Sequence, residues 1–297
     1  MTNQPSSEEH IQKTVTEINA HLSELAALTL PPGSESTLQE AMRLVEQLSI
    51  QISTSQDSYK QDLKQVEQER SNFISVVTHE LRLPMTSIKG YTDLLRQGVV
   101  GQINEQQLSF LDTIRSNVDR MSALLSDLSD ISRINTGQMM LDIKALDIEK
   151  ALNEVLQSLK PAWEKKNQQV EVALPASLPT VAADYNRLLQ VMANLLRNAI
   201  MYTPEGGKVT LQGKIEGEQL RIEVVDNGIG MKSEDQARLF SPFFRSDAAY
   251  VRDQPGWGTS LHVSSKLVQI MGGSIGMYSQ ADSGSVFWFS LPLQVDG

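Results

Sequence analysis

The stretch VVTHELRLPMTSIKGY (residues 76–91) contains one of only four histidines in the chain. Its apolar residues recur at helical spacing. Glu80 follows His79 directly, Leu83 stands one turn on, and Pro84 comes five positions after the histidine. Upstream, Leu38, Val45, Ile52, Tyr59, Val66 and Phe73 are apolar residues spaced seven apart. The companion seam runs Ala41, Leu48, Ser55, Asp62, Glu69, Val76, and so turns polar in the middle. One continuous seam beside one interrupted seam reads as a parallel dimeric coiled coil with a weakened centre. A single amphipathic helix packed on its own chain is the alternative.

The helix is expected to continue through His79 to about residue 97. GVVGQINEQQ (98–107) supplies a glycine-bearing turn, and a second helix follows to about residue 134. Leu108, Leu111, Ile114, Val118, Met121, Leu125, Leu128 and Ile131 give that helix one apolar face. Two antiparallel amphipathic helices cannot bury both faces alone, whereas two such hairpins form a dimeric antiparallel four-helix bundle. Ahead of the coil, Ile11, Val15, Ile18, Leu22 and Leu25 mark a further helix, which PPGS (31–34) stops. The segments read as an N-terminal helical segment (1–35), a coiled-coil helix (36–70), a helical-hairpin domain (71–137) and a C-terminal domain (138–297).

Composition sets limits. The 297 residues, 40% of them apolar and 21% charged, suffice for about two domains with at least one sizeable core. No run approaches the roughly 18 apolar residues of a membrane span, and MTNQPSSEEH (1–10) has no apolar signal core. The chain therefore reads as cytoplasmic, without a membrane span. With no cysteine, disulfides and thiolate metal sites are excluded, and four scattered histidines argue against zinc. A net charge of -10 argues against a nucleic-acid partner, because no basic stripe exists to neutralise phosphates.

After NTGQ (135–138), strand-like and helix-like runs alternate. MMLDI (139–143), QVEVAL, KVTLQGKI, QLRIEVVD, SIGMYSQ and SVFWFSLPL read as strands. Helices are expected at about 148–166, 184–202 and 260–271. Hairpin-ready closing strands predict an α+β sandwich with one mostly antiparallel sheet under helices. Residues 227–259, rich in Gly, Ser, Asp and Pro, read as a functional lid. Three motifs carry chemistry. In DNGIGM (226–231), a strand-end carboxylate meets Gly-x-Gly backbone that a ligand can approach closely. In NLLRNA (194–199), Asn194 and Asn198 share one helix face amid apolar neighbours, where an unsatisfied buried amide is costly. GWGTSL (256–261) is a Gly-rich loop opening a helix, suited to phosphate.

Together these motifs resemble the histidine kinases, the sensor kinases of two-component signalling, over roughly residues 66–292. FISVVTHELRLPMTSIKGYTDLL is similar to the family's phosphoacceptor box, and LLQVMANLLRNAIMYTP to its asparagine box. VVDNGIGM and GWGTSLHVSSKLVQIMGG are similar to its two glycine boxes, LFSPFFR to its phenylalanine box, and SGSVFWFSLPL to its closing strand. The resemblance implies a dimeric phosphoacceptor hairpin joined to a gyrase-like ATP-binding domain, with ATP and Mg²⁺ as cofactors. His79 would be the phosphoacceptor and Glu80 its base. Asn198 would hold Mg²⁺, with Asn194 near it. Asp226 would accept from the adenine amino group, Gly228 and Gly230 would line the pocket, and Tyr202 would pack near the base. Gly256 and Gly258 would contact phosphates from the lid, with Thr259, Ser260 and Leu261 completing that segment. The implied partners are a second copy and a response-regulator receiver domain. A separate sensor protein is expected to act through the N-terminal helices.

Elementary chemistry fits the role of His79. A neutral imidazole has one free lone pair, and a carboxylate on its other nitrogen stabilises the charge that attack develops. Pro84 cannot donate to the carbonyl of Glu80, which weakens the helix one turn beyond the histidine. Four departures from the family pattern stand out. Leu83 replaces a hydrogen-bonding Thr or Asn, so weak phosphatase activity is expected. Met201 replaces the lysine that serves as phosphate cation, with Arg197 and Arg245 as substitutes. Ser260 replaces a third glycine, and Trp257 makes the lid bulkier. A non-catalytic dimeric scaffold that keeps the fold and binds nucleotide is the competing reading.

Overall fold

A computed structural model of the chain describes residues 7–26, 34–175 and 178–294. The break expected at 31–34 lies, apart from Ser34, outside the described residues. The chain divides into two compact units, Met1–Arg70 and Ser71–Gly297.

The first unit contains α1 (Ser7–Ala26) and the opening part of α2 (Ser34–Arg96), a helix of 63 residues. Leu48, Tyr59 and Val66 of the heptad seams are more than half exposed. A seam of that kind has no apolar cover within one chain.

In the second unit, α2 continues unbroken through Pro84 and pairs with α3 (Glu105–Asn135). A capping box starts α3. Asn104 Oδ1 accepts from the Gln107 amide at 2.8 Å, and Gln107 Oε1 accepts from the Asn104 amide at 2.8 Å. The buried seam of the hairpin keeps heptad spacing on both helices: Ser71, Thr78, Met85 and Thr92 on α2, Val118, Leu125 and Ser132 on α3. Only Met85, Val118 and Leu125 form an apolar cluster there.

Beyond the hairpin lie β1 (Lys144–Leu146), α4 (Ile148–Lys165), β2 (Gln169–Ala173), β3 (Val181–Ala183), α5 (Tyr185–Tyr202), β4 (Lys208–Glu216) and β5 (Gln219–Asp226). Then come α6 (Ser233–Gln236), α7 (Ala249–Asp253), α8 (Ser260–Ile270), β6 (Ser274–Gln280) and β7 (Gly284–Pro292). The main sheet has the order β2-β4-β5-β7-β6, and only the β2–β4 pair is parallel. On β5 burial alternates residue by residue, which sends Leu220, Ile222 and Val224 to one face. That face packs against α5 and α8 in a core that includes Leu195, Leu196, Val263, Leu267 and Phe289. The sandwich and its mostly antiparallel sheet match the expectation.

Three local readings change. Residues 139–143 are not a strand; Met140 is almost fully exposed, and strand pairing begins only at Lys144, opposite Ala183. The partner β3, three residues long, is too short to show a two-residue period. The lid stretch carries two short helices, α6 and α7.

Leu195 is fully buried at the centre of α5. We expect Leu195→Ala to reduce unfolding free energy of the full chain by about 2–5 kcal/mol in a denaturant titration.

Candidate active site

Helix α5 builds one wall. Asp184 caps it by accepting from the Arg187 amide at 3.1 Å. Leu188, Val191, Leu195, Leu196 and Ala199 sink its apolar face into the core, and this fixes where Asn194 and Asn198 point. The two amides differ. Asn194 Nδ2 donates to Ser264 Oγ at 3.1 Å and to the Ser260 carbonyl at 3.4 Å, so α8 satisfies it. Asn198 is only 9% exposed and makes no side-chain hydrogen bond among the described residues. Its amide is therefore free to engage a ligand. Among the described residues no cluster of three or more His, Cys, Asp or Glu side chains is arranged to hold a metal. A cation carried by phosphates, with an amide oxygen as protein ligand, suits such a donor set.

The floor is the end of β5. Asp226 is buried, and its Oδ1 accepts from the amides of Gly228 at 2.9 Å and Ser285 at 3.2 Å, which leaves Oδ2 unengaged. Burial pushes the Asp226 carboxyl up to about 6, against the pull of those two amides. The glycines after it are sterically required. A Cβ at Gly228 would meet the Tyr202 carbonyl oxygen at 2.5 Å, and one at Gly230, whose φ is +60°, would meet the Gln280 carbonyl at 1.8 Å. The Tyr202 carbonyl accepts from the Ile229 amide at 3.3 Å, tying the glycine loop to α5. Burial raises the Tyr202 hydroxyl pKa, while the adjacent Arg245 guanidinium opposes the rise.

The lid closes the other side. Arg245, expected as a substitute phosphate cation, donates to the carbonyls of Gly256 and Gln254, each at 2.7 Å, and to that of Val251. It holds the lid together. Arg197 is exposed on α5; burial raises the Asp127 pKa, and the Arg197 charge opposes that rise. No ion pair or hydrogen bond among the described residues puts a cation in the side-chain place of Met201. Lys166 donates to the carbonyls of Ile200, Met201 and Thr203, each at 2.9 Å. Gly256 and Gly258 lie in the loop before α8, which starts with Ser260 and Leu261. Thr259, at the N-cap, makes no cap bond and instead donates to Asp127 Oδ2 at 2.6 Å. Lys166 and Asp127 have no local sequence signature; their partners are 34 or more residues away.

On α2, His79 and Glu80 are about two-thirds exposed, with His79 Nδ1 and Glu80 Oε1 3.2 Å apart. With the Nδ1–H tautomer donating to Glu80, the Nε2 lone pair is free. Glu80 is the only hydrogen-bonding partner of His79 among the described residues. Leu83 is exposed as well.

The raised Asp226 pKa has a sign that can be checked. The folded state holds this proton more tightly than the unfolded chain, so stability falls as pH rises from about 4 to about 6 and is flat above. We expect Asp226→Asn to stabilise the fold at pH 7.5 by up to about 3 kcal/mol, measured by denaturant unfolding, and to abolish that pH slope. The same variant should weaken adenine-nucleotide binding at least tenfold, roughly the loss of one charge-assisted hydrogen bond.

Known proteins resemble this chain across both of its domains. Residues 69–137 match the His Kinase A (phospho-acceptor) domain family. Residues 183–295 match the histidine kinase-, DNA gyrase B- and HSP90-like ATPase family. Sensor protein GacS of Pseudomonas syringae pv. syringae is 31% identical over 281 residues, covering 87% of this chain and 30% of GacS. Signal transduction histidine-protein kinase BarA of Escherichia coli (strain K12) is 30% identical over 266 residues, covering 88% of this chain and 28% of BarA. The chain thus spans about a third of the length of the curated relatives it matches. The crystal structure of full-length ShkA in complex with AMPPNP aligns with a TM-score of 0.63 at 29% identity, covering 76% of this chain and 46% of ShkA. With a phosphoacceptor hairpin followed by a gyrase-like ATPase domain, the chain belongs to the sensor histidine kinases of two-component signalling.

Proposed function

We propose that the chain is an ATP-dependent protein histidine kinase that phosphorylates itself on His79 and passes the phosphoryl group to an aspartate of a response-regulator receiver domain. The observation that carries the reading is the His79–Glu80 hydrogen bond on the exposed surface of α2. Glu80 holds the Nδ1 proton and keeps Nε2 as the nucleophile. As the bond from Nε2 to the γ-phosphorus forms, the bond from that phosphorus to the bridging oxygen breaks, and ADP leaves. The charge that develops on the imidazole is spread toward Glu80. A receiver carboxylate then takes the phosphoryl group from Nε2, which restores neutral His79.

Substrate binding follows from the pocket. Asp226 accepts from the adenine amino group through its unengaged Oδ2, with Gly228 and Gly230 giving close approach and Tyr202 packing beside the base. Asn198 would hold Mg²⁺, which would supply charge neutralisation in phosphoryl transfer, and Asn194 keeps α8 against the helix that carries it. The segment from Gly256 to Leu261 binds the phosphates. The working form is a homodimer: Leu48, Tyr59, Val66 and Phe73 along α2 and Leu108 and Ile114 on α3 supply apolar faces for a second copy. Residues 36–70 act as the signalling helix, on which a separate sensor protein would act. ATP and receiver domains as partners place the reaction on the cytoplasmic side. A non-catalytic scaffold is the second reading, favoured by Met201, Ser260 and the engagement of Arg245 with the lid.

Incubation with γ-labelled ATP and Mg²⁺ decides between the two. The wild type is expected to acquire an acid-labile, base-stable label that His79→Ala lacks. An unlabelled wild type would leave the scaffold. Glu80→Gln should slow labelling by about 10²–10⁴-fold, the usual range for a group assisting proton transfer, with nucleotide affinity unchanged. Leu83 has no hydrogen-bonding side-chain atom to orient water, so dephosphorylation of the partner should be slow in the wild type and faster in Leu83→Thr. Rapid turnover by the wild type would refute that role.

A further inference from the structure

Two carboxylates of the hairpin, one turn apart on α3, reach the ATP-binding domain by different routes. Asp130 is buried and doubly satisfied. Arg187 Nη1 donates to both of its oxygens at 3.1 Å, and Gln190 Nε2 donates to Oδ2 at 2.9 Å. Asp127 accepts one side-chain hydrogen bond among the described residues, from Thr259 Oγ1 at 2.6 Å, and Thr259 is only 3% exposed. Asp127 has a mixed environment: burial and the charge of Asp130 raise its pKa, whereas Thr259 and Arg197 lower it. The Thr259 hydroxyl, at the start of α8, is therefore directed at a carboxylate of the hairpin.

A hydroxyl has one proton and donates to one acceptor at a time. At the N-cap of α8, Thr259 adjoins the segment that the proposed function assigns to the phosphates. A phosphate oxygen there and Asp127 Oδ2 call on the same donor, and both are anionic, so they also repel. We propose that Asp127 is a positioning residue that competes with the nucleotide's phosphates for Thr259, so that nucleotide binding and docking of α3 against α8 oppose each other. The competition rests on the phosphate-binding role of residues 256–261. Linkage makes it reciprocal: docking of α3 on α8 weakens nucleotide binding by the same factor by which bound nucleotide weakens that docking. The Asp130–Arg187 pair takes no part, because neither group contacts the lid.

The test uses the full chain with AMPPNP and Mg²⁺ and reads affinity by calorimetry. Asp127→Leu is expected to bind at least about fivefold more tightly than wild type, the lower end of typical coupling. Asp127→Asn, which keeps the shape and removes the charge, should also tighten binding, by less. A gain in affinity is not what a damaged fold produces. A second readout exploits the absence of cysteine. Spin labels at Ser122→Cys on α3 and Gln269→Cys on α8, in chains diluted with unlabelled copies, should move apart when AMPPNP binds. In the Asp127→Leu background they should already be apart. Unchanged affinity in both Asp127 variants, with a wild type that binds AMPPNP, overturns the competition. A wild type that binds no nucleotide overturns instead the assignment of the pocket, and the competition with it.

Discussion

The C-terminus of α5 is the point on which the nucleotide site depends. Its last turn contains no basic residue, and the position where the family places a lysine is Met201, yet the terminal carbonyls carry the negative end of the helix dipole. Lys166, from the C-cap of α4, donates to three of them, and Gln168 Nε2 donates to the carbonyls of Ile200, Thr203 and Pro204. Burial lowers the Lys166 pKa, the expected cost of holding an ammonium there. The turn so fixed carries Tyr202, whose carbonyl receives the Ile229 amide, and through it the glycine loop that starts at Asp226. Asn198, Tyr202 and Asp226 thus take their relative positions from a clamp outside the pocket.

The hairpin has the opposite character. Its internal seam is largely polar: Ser71 and Ser132 pair through their hydroxyls, and the Thr78 hydroxyl is buried without a partner among the described residues. A cluster of three apolar residues does not hold two helices together in water, and ion pairs such as Lys89–Asp119 are exposed and contribute little. Stability must come from the apolar side chains left uncovered along α2 and α3, which a second hairpin would bury. A buried layer of polar residues, one of them the immediate neighbour of His79, suits a segment that has to change arrangement, because little apolar area is exchanged when it does.

Much of this was legible in residue order because it is local. The His79–Glu80 contact joins neighbours, Asn194 and Asn198 lie one helical turn apart, and Asp226 meets Gly228 two residues on. Periods of seven, three to four and two residues separate coil, helix and strand, and recovered the longer helices and the five strands of the main sheet in the C-terminal domain. Failures came where a signal was short or exposed. β3 has three residues, and the MMLDI run looked like a strand only because its methionines are apolar.

Chain order alone therefore determined the family, the longer elements and the candidate residues for chemistry. Tertiary structure decided how those residues are engaged. It satisfied Asn194 with Ser264, left Asn198 without a side-chain partner among the described residues, engaged Arg245 with lid carbonyls, and set Lys166 on the carbonyls that end α5 rather than in the side-chain place of Met201. It also joined Thr259 to Asp127 across 132 residues. Such pairings depend on how several elements pack at once, and a one-dimensional period reports only which face of each element is buried.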